Sequence, residues 1–303
     1  MRAIWDLFGS SLSLSSIKIE DEDVYISGMN PAIFQPNPLA LSTVSEFSIN
    51  ANGPLMQPLL RHLTLPHVQT LDLAGASLNM AYRFISSSME VRSLSLYGIV
   101  ETPANRSSTL SLSPIFLSSL ETLRVSDFPG LLNYVHAPRL KALTLEDLSR
   151  PILYPGGTSL RAFVERSAPA LAILHLQGIN ITDRDIIWCL NQLPDLEDLT
   201  VSACLISDAV LSALAAPPSP EHPGWLLPRL AKFEFEGNVG VTSRGAIEFL
   251  ASRSKDPVPS IAGKFIFPNC NRELSVKDQE AILSYGEFLG PSLAYTWWMA
   301  PTI

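Results

Sequence analysis

The sequence predicts an α/β fold in which short parallel strands alternate with helical returns. Three observations point there. One apolar pattern recurs ten times in order, its copies start 20 to 34 residues apart, and capped amphipathic segments fill several of the intervals. The pattern is apolar-x-x-apolar-x-apolar. It runs from Leu14 to Ile19, Val44 to Ile49, Val68 to Leu73, Val91 to Leu96 and Leu120 to Val125. It continues from Leu140 to Leu145, Leu171 to Leu176, Leu196 to Val201 and Leu230 to Phe235, with a weaker copy from Ala262 to Phe267. Alternation at the fourth and sixth positions makes a strand with one face inward. Such a strand is too short to stand alone. Parallel stacking gives it two neighbours and joins the inner faces into one core.

The return segments are justified in chain order. Gly156-Gly157 precedes Thr158 or Ser159 as the cap of a helix carrying Leu160 and Phe163. Thr182 to Asp185 starts the next helix with a polar cap and an acid three residues on, and Ile186, Ile187, Leu190 and Leu193 then share one face. Ser207 to Leu214 repeats the design with Val210, Leu211 and Leu214, and Thr242 to Ala251 with Ala246, Phe249 and Leu250. Ser275 to Leu289 gives a last helix bearing Ile282, Leu283 and Leu289. Prolines 217, 218, 220, 223 and 228 make the segment from Ala215 to Pro228 an inserted loop, in which Trp225 either folds back on the core or contacts a partner. Pro257 and Pro259 mark a shorter insertion. Residues 1–40 read as an N-terminal cap with a first irregular repeat, and 274–303, with Trp297 and Trp298, as a C-terminal cap.

The mean repeat of about 28 residues lies near the upper end of the leucine-rich-repeat range. That class favours Asn or Cys eight positions after the first apolar residue, where a short side chain must satisfy buried loop backbone. Asn52, Cys204, Asn238 and Cys270 fill the slot in four copies. The expectation is therefore one leucine-rich-repeat solenoid of about ten irregular repeats over residues 1–303, with a curved parallel sheet inside and mostly helices outside.

Composition excludes several functions. The chain of 303 residues is 47% hydrophobic and 17% charged, enough apolar content for a large core. Its 21 basic and 29 acidic side chains leave a net charge of −8, which argues against nucleic acid or an anionic membrane as partner. Three cysteines, Cys189, Cys204 and Cys270, make neither a disulfide framework nor a zinc site. Asp6 interrupts the apolar start, no apolar run reaches membrane-spanning length, and the expected location is cytoplasmic or nuclear. The sequons at Asn105 and Asn180 matter only in a secreted chain.

No phosphate loop, dinucleotide fingerprint or G-x-S-x-G is present, and the histidines (62, 67, 136, 175 and 222) miss metal-ligand spacing. His175 with Asp198 or Cys204 would make a pair across neighbouring strands, but no activated serine accompanies it. The reading is a non-enzyme with no cofactor and no metal. Glu20 to Asp23 reads as a solvated acidic loop.

A binding role follows from the strand positions that the core leaves over. Ser48, Asp72, Ser95, Arg124, Thr144, His175, Thr200 and Glu234 form a central outward row. Tyr97, Glu146, Gln177, Asp198, Lys232 and Glu236 flank it. The candidate partner-binding set on the concave face is Tyr97, Arg124, Glu146, His175, Gln177, Asp198, Lys232 and Glu234. Tyr97, Arg124 and His175 serve as anchors, because aromatics and Arg are enriched at hot spots. The occupant is a protein or peptide.

The run from Leu171 to Ala215 carries strand, turn, Ile-Thr-Asp or Ile-Ser-Asp cap, helix and Pro-x-Leu-x-x-Leu, and is followed by LPRLAKFEFEGNVGVTSRGAIEFLASRS. It resembles the repeat region of fungal F-box-like proteins of mushroom-forming species, over about residues 40–303. In that family an F-box docks on the adaptor of a cullin-type ubiquitin ligase, and the repeats hold the substrate. The first 40 residues show no leucine-proline start and no apolar run of the needed length. The resemblance therefore implies substrate recognition for the repeats, and an adaptor contact only through an F-box outside this chain. The alternative is a stand-alone scaffold without a ligase link.

Overall fold

The computed structural model describes residues 14–19, 39–50, 60–99, 113–147, 156–218, 224–254, 261–267 and 275–285. The chain falls into two compact units, Met1–Leu140 and Lys141–Ile303, and each contributes five strands in parallel arrangement. The α/β architecture expected from the repeats is thus present.

In the first unit the sheet strands are β1 (Ser16–Ile19), β3 (Glu46–Asn50), β5 (Thr70–Ala74), β6 (Ser93–Tyr97) and β8 (Thr122–Ser126). Register places Ile17, Phe47, Leu71, Leu94 and Leu123 side by side, and all five are buried. These are the fourth positions of the sequence pattern. Each such side chain contributes about 1.5–3 kcal/mol by leaving water. Two-residue parallel pairs, β2 (Leu39–Ala40) with β4 (Leu63–Thr64) and β7 (Ile115–Phe116) with β9 (Val135–His136), line parts of the return path. Helix α1 (Leu78–Ser87) buries Ala81, Phe84 and Ile85, with Phe84 stacked 6.2 Å from Phe47. Where copies lie only 20 residues apart, a 3-10 helix (Pro129–Tyr134) makes the return instead.

The second unit is more regular. Its strands are β10 (Ala142–Glu146), β11 (Ile173–Gln177), β12 (Asp198–Ser202), β13 (Lys232–Glu236) and β14 (Ala262–Ile266). Between and after them lie α2 (Gly156–Ser167), α3 (Asp183–Asn191), α4 (Asp208–Ala215), α5 (Ser243–Arg253) and α6 (Val276–Leu283). The expected inward faces are buried on α4 (Val210, Leu211 and Leu214) and α5 (Ala246, Phe249 and Leu250); around α3 Ile186, Leu190 and Leu193 are buried, but Ile187, expected on the same face, is half-buried and Cys189 is buried instead.

Three expectations need correction. First, the tenth copy is two residues out of frame. Gly263 pairs with Phe233 and Phe265 with Phe235, so Phe265 sits at the sixth position, not the fourth. Gly263 leaves a gap that the Phe233 ring fills, since a Cβ there would lie 2.1 Å from Phe233 Cζ. Second, α2 begins at Gly156, so Thr158 and Ser159 lie inside its first turn and do not cap it. Third, Ile282 is buried but Leu283 is 55% exposed, because α6 presents one narrow stripe. Leu289, Trp297, Trp298, Asn52, Asn105, His222, Pro220, Pro223, Pro257, Pro259, Cys270 and the run from Glu20 to Asp23 lie outside the described residues. Among the described residues no helix is long and apolar enough to cross a membrane.

The Asp of the Ile-Thr-Asp and Ile-Ser-Asp motifs does more than open a helix. Thr182 accepts from Asp185 N, Ser207 from Ala209 N and Thr242 from Gly245 N, as N-caps should. Ser207 in turn donates to Asp183, its N–H at 2.8 Å and its hydroxyl at 2.6 Å. Thr242 repeats this on Asp208 at 2.7 and 2.6 Å. Each carboxylate therefore fixes the cap of the following repeat. Gly245 makes room, since a Cβ there would lie 2.2 Å from Asp208 Oδ1. Asp208→Ala should cost about 1–2 kcal/mol in urea unfolding, through two lost charge-assisted hydrogen bonds at a half-exposed site. A change under about 0.5 kcal/mol would mean that water replaces the carboxylate.

Candidate functional site

The first, third and fifth residues of each strand in the second unit point away from the core. Register sets them in three rows across β10 to β14. The first row is Ala142, Ile173, Asp198, Lys232 and Ala262. The central row is Thr144, His175, Thr200, Glu234 and Lys264. The last is Glu146, Gln177, Ser202, Glu236 and Ile266. Six of the expected partner-binding residues, Glu146, His175, Gln177, Asp198, Lys232 and Glu234, thus lie on four adjoining strands.

Charge on this face is largely cross-linked between strands. Lys232 Nζ donates to Asp198 Oδ2 at 2.9 Å, and His175 Nε2 stands 3.4 Å from Asp198 Oδ1 without meeting hydrogen-bond geometry. Burial pushes the Asp198 carboxyl up, but its contacts with His175 and Lys232 outweigh this and hold it below the usual range. One row over, Lys264 donates to Glu234 Oε1 at 2.8 Å. Glu236 is held above its ordinary range by burial and by the Glu234 carboxylate, against the pull of Lys264.

A depression of about 220 Å³ lies at the C-terminal ends of β10 to β13. His175, Gln177 and Thr200 line it together with Glu146, Glu234 and Glu236. Three carboxylates face it, and neither Lys232 nor Lys264 is part of its wall. The loops beyond β12 and β13 each expose one apolar residue three positions past the strand, Leu205 at 62% and Val239 at 72%.

In the first unit, the other two expected residues meet each other. The Arg124 guanidinium lies 5.4 Å from the Tyr97 ring centroid, a cation–π contact. Sequence reasoning missed Ser202 and Lys264. Lys264 was hidden because the pattern around it is out of frame, so its central-row place could not be counted from Ala262.

His175 Nε2 points to a carboxylate that Lys232 also holds, and it makes no hydrogen bond to a hydroxyl. Burial pushes the Cys189 thiol up to about 12, helped by the Asp185 charge, and the Cys204 thiol up to about 11. Both are protonated at neutral pH and lack the thiolate a nucleophile needs. Among the described residues no group of three His, Cys, Asp or Glu side chains could hold a metal ion. Trp225 folds back: Arg253 lies 4.6 Å over its ring. A second cavity, of about 580 Å³, lies beside it between α3, α4 and the proline loop. The sequence matches no protein-family model and no curated protein.

Proposed function

We propose that this chain is a protein-binding module, a leucine-rich-repeat solenoid whose outward strand face holds a protein or peptide partner. The observation that carries the reading is the in-register face of the second unit. Its polar side chains come from four or more strands and surround a depression, while every second residue beneath is spent on the core. Rigid strands hold such side chains with little entropy left to lose on binding. Tyr97 and Arg124 offer a second, preformed aromatic–cation pair. The resemblance to fungal F-box-like proteins makes the partner a substrate for ubiquitin transfer; without an F-box in the gene product the same face serves a stand-alone scaffold.

The test is capture of the partner with the tagged chain from its own cells, repeated with two variants. Arg124→Glu with His175→Ala should abolish capture. Arg184→Glu, on the exposed side of α3, should leave it intact. Equal capture by both would sink the face reading. Recovery of the ligase adaptor with the complete gene product separates substrate receptor from scaffold.

A further inference from the structure

We draw no further inference here: the strongest candidate, the cavity of about 580 Å³ beside Trp225 between α3, α4 and the proline loop, is an apolar groove, and nothing in the structure shows what covers it.

Discussion

Arg253→Ala should lower the stability of the second unit by about 3–5 kcal/mol, the largest effect expected of any single truncation discussed for this chain. The cause begins in the sequence. Helix α4 ends at Ala215, two residues before Pro217 and Pro218. The carbonyl of Leu214 would ordinarily accept from the N–H four residues on, and that residue is Pro218, which has none. Arg253, at the end of α5 and only 1% exposed, supplies the missing donor: its Nε donates to Leu214 O at 2.9 Å. Its Nη2 donates to the carbonyl of Leu226 in the proline loop, and Trp225 covers the guanidinium face. Ser252 completes the helix end by donating to Ala215 O at 2.6 Å.

Burial pushes the pKa of Arg253 down to about 10, still far above neutral, so these are hydrogen bonds from a charged donor. Each is worth about 1.5–3 kcal/mol, and truncation also leaves a void beneath Trp225. Arg253→Lys keeps the charge but not the fork, and should restore less than half of the loss. Urea unfolding followed by circular dichroism measures both variants, with an unchanged m-value as the sign that stability alone has moved. A loss below about 1 kcal/mol would show that water reaches the two carbonyls and that the loop is not held by this side chain.

Arg253 also shows where sequence reading stops. The strands were legible because period-two alternation is local: Leu199 and Val201 announce their face within three residues. The helix starts were legible for the same reason, since Thr182 and Ser207 act within one turn. The bonds that join repeats are not local. Asp183 to Ser207 spans 24 residues and Arg253 to Leu214 spans 39, and no window of pattern contains both partners. Gly263 fails differently. A glycine whose missing side chain is replaced by a neighbour's ring reads as a break in the pattern, so the frame slipped and Lys264 was lost with it. For the outward strand face, the list of residues could be counted from the pattern. Its pairing could not: Asp198 meets both Lys232 and His175 only because three strands are in register.

Asn238→Ala should cost about 2–4 kcal/mol, although it removes few atoms and no charge. Asn238 is 1% exposed and fills the slot where the repeat class favours Asn or Cys. Its Oδ1 accepts from Cys204 N at 2.9 Å, and its Nδ2 donates to Val201 O at 2.7 Å. Both partners belong to the preceding repeat, at the point where the chain turns out of β12. There Ala203 already holds a φ of +52°, a conformation that alanine adopts at a cost. Truncation leaves the buried Cys204 N–H without a partner, at about 1–3 kcal/mol, takes the side-chain donor from Val201 O, which then keeps only its ladder bond to β13, and frees a turn that is under strain. Asn238→Asp isolates the donor half. The carboxylate still accepts from Cys204 N, but it faces Val201 O with a negative charge and no proton. Burial and that carbonyl raise its folded-state pKa above the unfolded value, so between the two the folded state binds more protons. The variant should therefore approach the parent's stability at acidic pH, where the protonated acid can donate, and lose it as pH rises through the folded-state value. Urea unfolding of both chains across that range reads the difference. A constant offset between them at every pH would mean that the donor to Val201 contributes nothing, leaving the acceptor to Cys204 as the whole of the slot's role.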